Sequence, residues 1–281
     1  MKTNKSFILA ATIALFLTSC ATTSFYQVYK ATPSDNLITK DNYLVYEDDN
    51  CKVSYNLWDE GGNIGFRFYN KTNKNIYLNL EENFFIFNGI SYDYYKNRVF
   101  TNSTTSGATT ARSATASKSV TGINYLDLLQ TNRIQAASSV GLMASSGYSI
   151  SYNEEKVICI PSKTSKFITE YNINESLFRD CDLFKYPTKK QIKLKSFSKA
   201  ESPIVFSNRI AYTVGQTENL IKFENEFYVT EISNYPESEI LESKYDEYCG
   251  QKSMTMSKYF KNVSPDKFYI KYTKDMDTWT H

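Results

Sequence analysis

The chain contains a single histidine, His281, and it is the last residue. Histidine is the usual proton shuttle near neutral pH and the commonest metal ligand, and a terminal side chain is rarely held in place. Ser-His-Asp catalysis, Cys-His catalysis and His-rich zinc sites are therefore not expected. Carboxylates could do acid/base work without histidine, as in glycoside hydrolysis. Asp48-Asp49, Glu81-Glu82, Glu154-Glu155 and the Asp275/Asp277 pair are the obvious clusters. Adjacent residues on a strand point to opposite faces, so the first three pairs cannot close on one bond. Asp275 and Asp277 would share a face, but near an exposed end. All four read as solvated turn charge, and no catalytic residue, cofactor or metal is expected.

Ser34-Asp35-Asn36, Lys163-Thr164-Ser165 and Ser196-Phe197-Ser198-Lys199 contain the pieces of the serine β-lactamase motifs in the wrong order. In that family Ser-x-x-Lys comes first and opens a helix, whereas here it comes last, in a strand-and-loop region. Of the five cysteines, Cys51 and Cys159 fall in strand-like apolar runs, where a buried free thiol explains them as well as a bridge does. Cys181 and Cys249 fall in polar surroundings. Four cysteines allow three pairings in an oxidising compartment, and Cys181–Cys249 is the favoured bridge if only one forms.

The fifth, Cys20, has a different setting. Lys2 and Lys5 form a basic head, Phe7–Leu17 is apolar apart from Thr12, and Leu17-Thr18-Ser19-Cys20 closes the run. As a helix the run covers roughly 16 Å, about half a bilayer core, too short to span. Basic head, short apolar core and small residues describe a secretory signal. The ending resembles the lipobox of bacterial lipoproteins. That resemblance implies removal of residues 1–19, a lipid on Cys20, export, and anchorage to a membrane. No acid follows Cys20 directly, so the periplasmic face of the outer membrane is preferred to the cell surface. Val157–Pro161, Cys181-Asp182-Leu183 and Ser202–Ile210 also look like segments of uncharacterised bacterial lipoproteins, a resemblance that implies no functional residues.

Removing residues 1–19 takes Lys2 and Lys5 from a chain of 32 Lys+Arg and 30 Asp+Glu, leaving the charges balanced. No basic excess remains to drive binding to phosphates, so nucleic acid is not an expected partner. Residues 20–36 are polar and suit a lipidated tether, although Phe25, Tyr26 and Tyr29 could pack back. Residues 37–281 then form the folded domain.

Within it the hydrophobic period is two. Val53, Tyr55 and Leu57 share one face, and Ile64, Phe66 and Phe68 another, across a Gly61-Gly62-Asn63 turn. Asn88-Gly89 between Phe87 and Ile90 is a strong hairpin signal, because both residues tolerate positive φ. Further strands are read at 157–160, 167–173, 204–206, 210–214, 223–232 and 267–272. The fold expected is an all-β, antiparallel immunoglobulin-like β-sandwich with at most one or two short helices. The pattern lapses over 101–150, rich in Ser, Thr, Ala and Gly, which predicts a long mobile insertion with a short helix near Ile123–Leu129. Near 237–248 the period drifts toward helical.

The 23 tyrosines are the remaining positive signal. Tyr69, Tyr77, Tyr92, Tyr94 and Tyr95 fall on or beside outward faces, where rings bind sugars or proteins or pair across strands. These residues point first to a non-catalytic binding or assembly module recognising envelope protein or glycan. A carboxylate-based glycan hydrolase and a surface-fibre subunit are the alternatives.

Overall fold

A computed structural model describes residues 23–34, 36–106, 120–121 and 146–274, with side chains outside 102–149. The described residues contain nineteen strands. In the first third of the chain these are β1 (Ser24–Pro33), β2 (Ile38–Lys40), β3 (Tyr43–Glu47), β4 (Cys51–Tyr55), β5 (Phe66–Asn70), β6 (Ile76–Asn79), β7 (Phe84–Phe87) and β8 (Ile90–Asp93). Then come β9 (Val99–Ser106), β10 (Val120–Thr121), β11 (Ser146–Asn153), β12 (Val157–Ile160), β13 (Ser165–Ile168) and β14 (Leu194–Ser196). The last are β15 (Val205–Val214), β16 (Ile221–Pro236), β17 (Leu241–Tyr248), β18 (Gln251–Phe260) and β19 (Lys267–Thr273), with a one-turn helix α1 (Glu237–Ile240) before β17.

Two antiparallel sheets face each other as a β-sandwich. One has the order β12-β6-β15-β16-β1-β19, with the β7-β8 hairpin on β15 and β14 on β16. The other runs β13-β5-β4-β3-β2. Their inner faces share one core: Tyr55 of the smaller sheet meets Phe227 of the larger at 5.3 Å, and Phe68 meets Tyr212 at 5.5 Å. Each such aromatic pair contributes about 0.5–1.5 kcal/mol beyond its buried area. Val53, Tyr55, Phe66 and Phe68 are fully or almost fully buried, so the period-two reading of β4 and β5 identified the inward side chains. Polar core atoms are satisfied: Asn225 donates to Tyr55 Oη at 2.8 Å, and Asn208 donates to the Ile64 carbonyl at 2.9 Å. Gly62, at φ +76°, is required where the 56–65 connection turns. A Cβ there would lie 2.7 Å from Ile173 Cδ1 and 2.9 Å from Phe268 Cγ.

The tether expected at 20–36 is not what Ser24–Pro33 forms. It is an interior strand, paired antiparallel with both β16 and β19. Its polar composition hides this because Gln27, only 1% exposed, is fully partnered. Its amide donates to Asn234 Oδ1 and to the Phe178 carbonyl, both at 2.8 Å, and its carbonyl accepts from the Phe178 amide at 2.7 Å and from the Tyr29 hydroxyl. The helical drift near 237–248 shrinks to the single turn α1. Beyond it β17 pairs with β18 as a separate two-stranded ribbon. The two ends of the 101–150 insertion are the paired arms β9 and β11, and the short helix expected near Ile123–Leu129 lies outside the described residues.

Candidate functional site

Asn88 and Gly89 turn at φ 46° and 83°, so β7 and β8 form the tight hairpin that their sequence prescribes. Phe85 and Tyr92 are cross-strand partners with ring centroids 5.9 Å apart. The segment 170–175, just after β13, lies against this hairpin. Tyr171 stacks on Phe85 at 5.2 Å, lies 6.1 Å from Tyr92, and donates its hydroxyl to the Asp93 carbonyl. Burial, with Glu170 and Asp93 adding to it, pushes the Tyr171 hydroxyl up, so it remains a protonated donor. The segment is fixed from below by the Ile173 amide, which donates to the Gly62 carbonyl at 2.9 Å. Between hairpin and segment lies an open groove of about 410 Å³, within the range of small-ligand sites. Phe87, Tyr92 and Tyr171 give it ring faces; Asn172, Asn174 and Glu175 give it a polar rim.

Glu170, at one end of the groove, belongs to a four-residue ion cluster. Arg98 Nη1 donates to Glu170 Oε1 at 2.6 Å and Arg98 Nε to Glu154 Oε1 at 3.1 Å. Glu154 also accepts the Lys96 amide at 2.9 Å and the Arg98 amide at 3.1 Å, while Lys96 Nζ lies 2.8 Å from Glu170. Burial raises the Glu154 carboxyl, but the bonds from Arg98 and the two amides outweigh it and hold the group below its ordinary value. Lys96 Nζ sits 4.5 Å above the Tyr171 ring, a cation–π contact that ties the cluster to the groove. This arrangement can bind and orient a ligand bearing both apolar and hydroxyl surface. Glu170 is engaged by two cations and acts as their counter-ion.

Of the five tyrosines expected at a ligand surface, only Tyr92 lines this groove. Tyr94, expected at the surface, is instead a core residue: it is 3% exposed, meets Tyr171 edge-on at 5.4 Å, and donates to Asn208 Oδ1 at 2.8 Å. It supports the groove from inside the core. Tyr95 is half-buried beside the cluster, under Lys156 Nζ at 5.2 Å. Tyr69 and Tyr77 are half-buried on β5 and β6, in different sheets. Phe87, Tyr171, Asn172 and Asn174 carry no sequence signal for this site. They come from segments about eighty positions apart, and no local spacing links them.

The four described cysteines are free thiols: Cys51 buried, Cys159 half-buried, Cys181 and Cys249 exposed. The favoured Cys181–Cys249 bridge is therefore not formed. Ser198 donates to Glu201 at 2.8 Å and Ser34 to Asn36 at 2.7 Å, so those serines are held by neighbours in sequence. Among the described residues no group of three His, Cys, Asp or Glu is placed to hold a metal ion, and no helix is long and apolar enough to cross a membrane. Cys20 lies outside the described residues. No protein-family model, curated protein or solved structure matches the chain.

Proposed function

We propose that this protein is a lipid-anchored binding module of the cell envelope, held through Cys20 at the periplasmic face of the outer membrane. It recognises its ligand non-catalytically in the groove between the β7-β8 hairpin and residues 170–175. The observation that carries the reading is the composition of that groove: ring faces of Phe87, Tyr92 and Tyr171 beside the amides of Asn172 and Asn174. Ring faces pack on the C–H surfaces of sugars, and a polar rim of fixed orientation supplies hydrogen bonds to hydroxyls. A glycan therefore fits better than a protein segment. The commitment of Glu170 to Arg98 and Lys96 favours binding over acid/base hydrolysis.

The test is binding of a soluble form beginning at Ala21 to a glycan panel and to envelope extracts. Tyr92→Ala should weaken the selected ligand about tenfold, whereas Tyr69→Ala and Tyr77→Ala should leave it unchanged. Binding that survives Tyr92→Ala but is lost on removing 107–145 would transfer recognition to the insertion. Anchoring is tested separately: Cys20→Ala should shift the protein out of the membrane fraction.

A further inference from the structure

The β17-β18 ribbon has no described sheet against either face, and its tip carries the two most exposed large apolar side chains among the described residues, Met254 and Tyr248, with Met256 and Tyr245 exposed behind them. Met254 is 102% exposed, Tyr248 84%, Met256 56% and Tyr245 49%. Tyr245 and Met256 face each other across the ribbon, and Tyr248 leads into its turn, where Cys249 and Gly250 adopt φ 50° and 79°. Its root is well held. Phe260 packs edge-on against Trp58 at 5.0 Å and Tyr26 at 5.7 Å, the Lys261 amide donates to the Ile240 carbonyl at 3.0 Å, and Lys258 pairs with Glu237. A two-stranded hairpin bare on both faces is marginal in water. Such an apolar tip on a firm root marks a surface that is covered in use.

The path of the chain says what covers it. Thr23 and Ser24 line a recess with Leu241, Ser243 and Lys258 at the root of the ribbon. Phe25 pairs with Pro236, the residue immediately before α1. The N-terminal end of β1 and the root of the ribbon therefore lie side by side. Because β1 begins at Ser24, four Cα steps separate it from Cys20, a reach of at most about 14 Å. On the proposed lipid anchoring, on which this inference rests, the end of β1 that shares a recess with the root of the ribbon is within that distance of the lipidated residue.

We infer that the β17-β18 ribbon is a second membrane contact, with Tyr245, Tyr248, Met254 and Met256 set against the headgroup–acyl boundary of a phospholipid bilayer. Tyrosine suits that depth because its ring is apolar and its hydroxyl wet. Methionine is flexible enough to pack among lipid chains, and Lys252 beside the turn can extend its ammonium to phosphate. The lipid fixes one point, and the ribbon adds a second that sets how the domain stands on the membrane.

The experiment uses the full lipidated chain in phosphatidylethanolamine–phosphatidylglycerol vesicles, with an environment-sensitive dye on Cys249 in a Cys181→Ser background. The reference carries the dye on Cys181 in a Cys249→Ser background. The dye at Cys249 should be quenched by spin-labelled lipid and be about threefold less open to aqueous iodide than the reference. Tyr248→Ser with Met254→Ser, both solvent-facing and therefore compatible with folding, should restore iodide access while the protein stays with the vesicles. Equal iodide access at the two positions, in protein whose mass shows lipid on Cys20, overturns the ribbon contact alone. Protection from iodide without quenching from the lipid assigns the ribbon to a second copy of the chain and also overturns it. Absence of lipid on Cys20 removes the anchor, and this inference with it.

Discussion

Arg98 is the residue on which the groove's polar end depends. Its guanidinium bonds Glu154 and Glu170, and the side chain of Glu154 is only 7% exposed. Arg98→Ala strands a nearly buried carboxylate, which should cost about 2–4 kcal/mol, read from urea denaturation. The pH dependence has a defined sign. The folded fold holds Glu154 below its ordinary value, so its stabilisation is complete above roughly pH 4.5 and is lost as pH falls through the depressed value. The denaturation midpoint should fall on acidification in the native chain and fall less in Arg98→Ala. The thiols give a second check. Burial, with Asp48 beside it, pushes the Cys51 thiol up, whereas Cys181 and Cys249 are exposed. In reduced native protein a disulfide reagent should modify Cys181 and Cys249 quickly and Cys51 only on unfolding. Slow modification of Cys181 and Cys249 in the reduced protein would contradict their exposure.

At the scale of the element, β1 is the decisive strand. It joins β16 to β19, so the sheet cannot close without it. A form beginning at residue 37 should fail to fold cooperatively, whereas one beginning at Ala21 should give a sigmoidal denaturation curve. A cooperative curve from residue 37 onward would contradict its interior position. The 56–65 connection offers a finer test. Gly62→Ala places a methyl into Ile173 and Phe268 at a positive φ, and should destabilise by about 2–4 kcal/mol. Since Ile173 also ties down the groove segment, the same variant should weaken ligand binding.

At the scale of the molecule, the sandwich carries the β9-β11 arms, the β17-β18 ribbon, and a groove whose two walls come from before β9 and after β13 in sequence. The ion cluster of Lys96, Arg98, Glu154 and Glu170 sits where the β9-β11 arms leave the body. It therefore fixes the base of the insertion and one end of the groove together. A ligand that engages both should be weakened by Arg98→Ala even when the variant is kept folded at neutral pH.

Local sequence determined the elements whose instructions are local. The alternation in β4, β5 and β19 names inward faces directly, because a strand's side chains alternate whatever it packs against. Asn88-Gly89 sets a two-residue turn through backbone freedom alone. The lone His281 and the balance of charge bound the chemistry before any fold is known. What the sequence by itself could not decide depends on partners distant along the chain. Ser24–Pro33 reads as a tether because Gln27 is polar, and it is a core strand because Asn234 and Phe178 satisfy that amide. Tyr94 reads as a surface ring, and it is buried because Asn208 lies 114 positions away to receive its hydroxyl. The groove has no sequence signal for the same reason: it exists only where β7-β8 and residues 170–175 meet, and that meeting is a property of the sheet order.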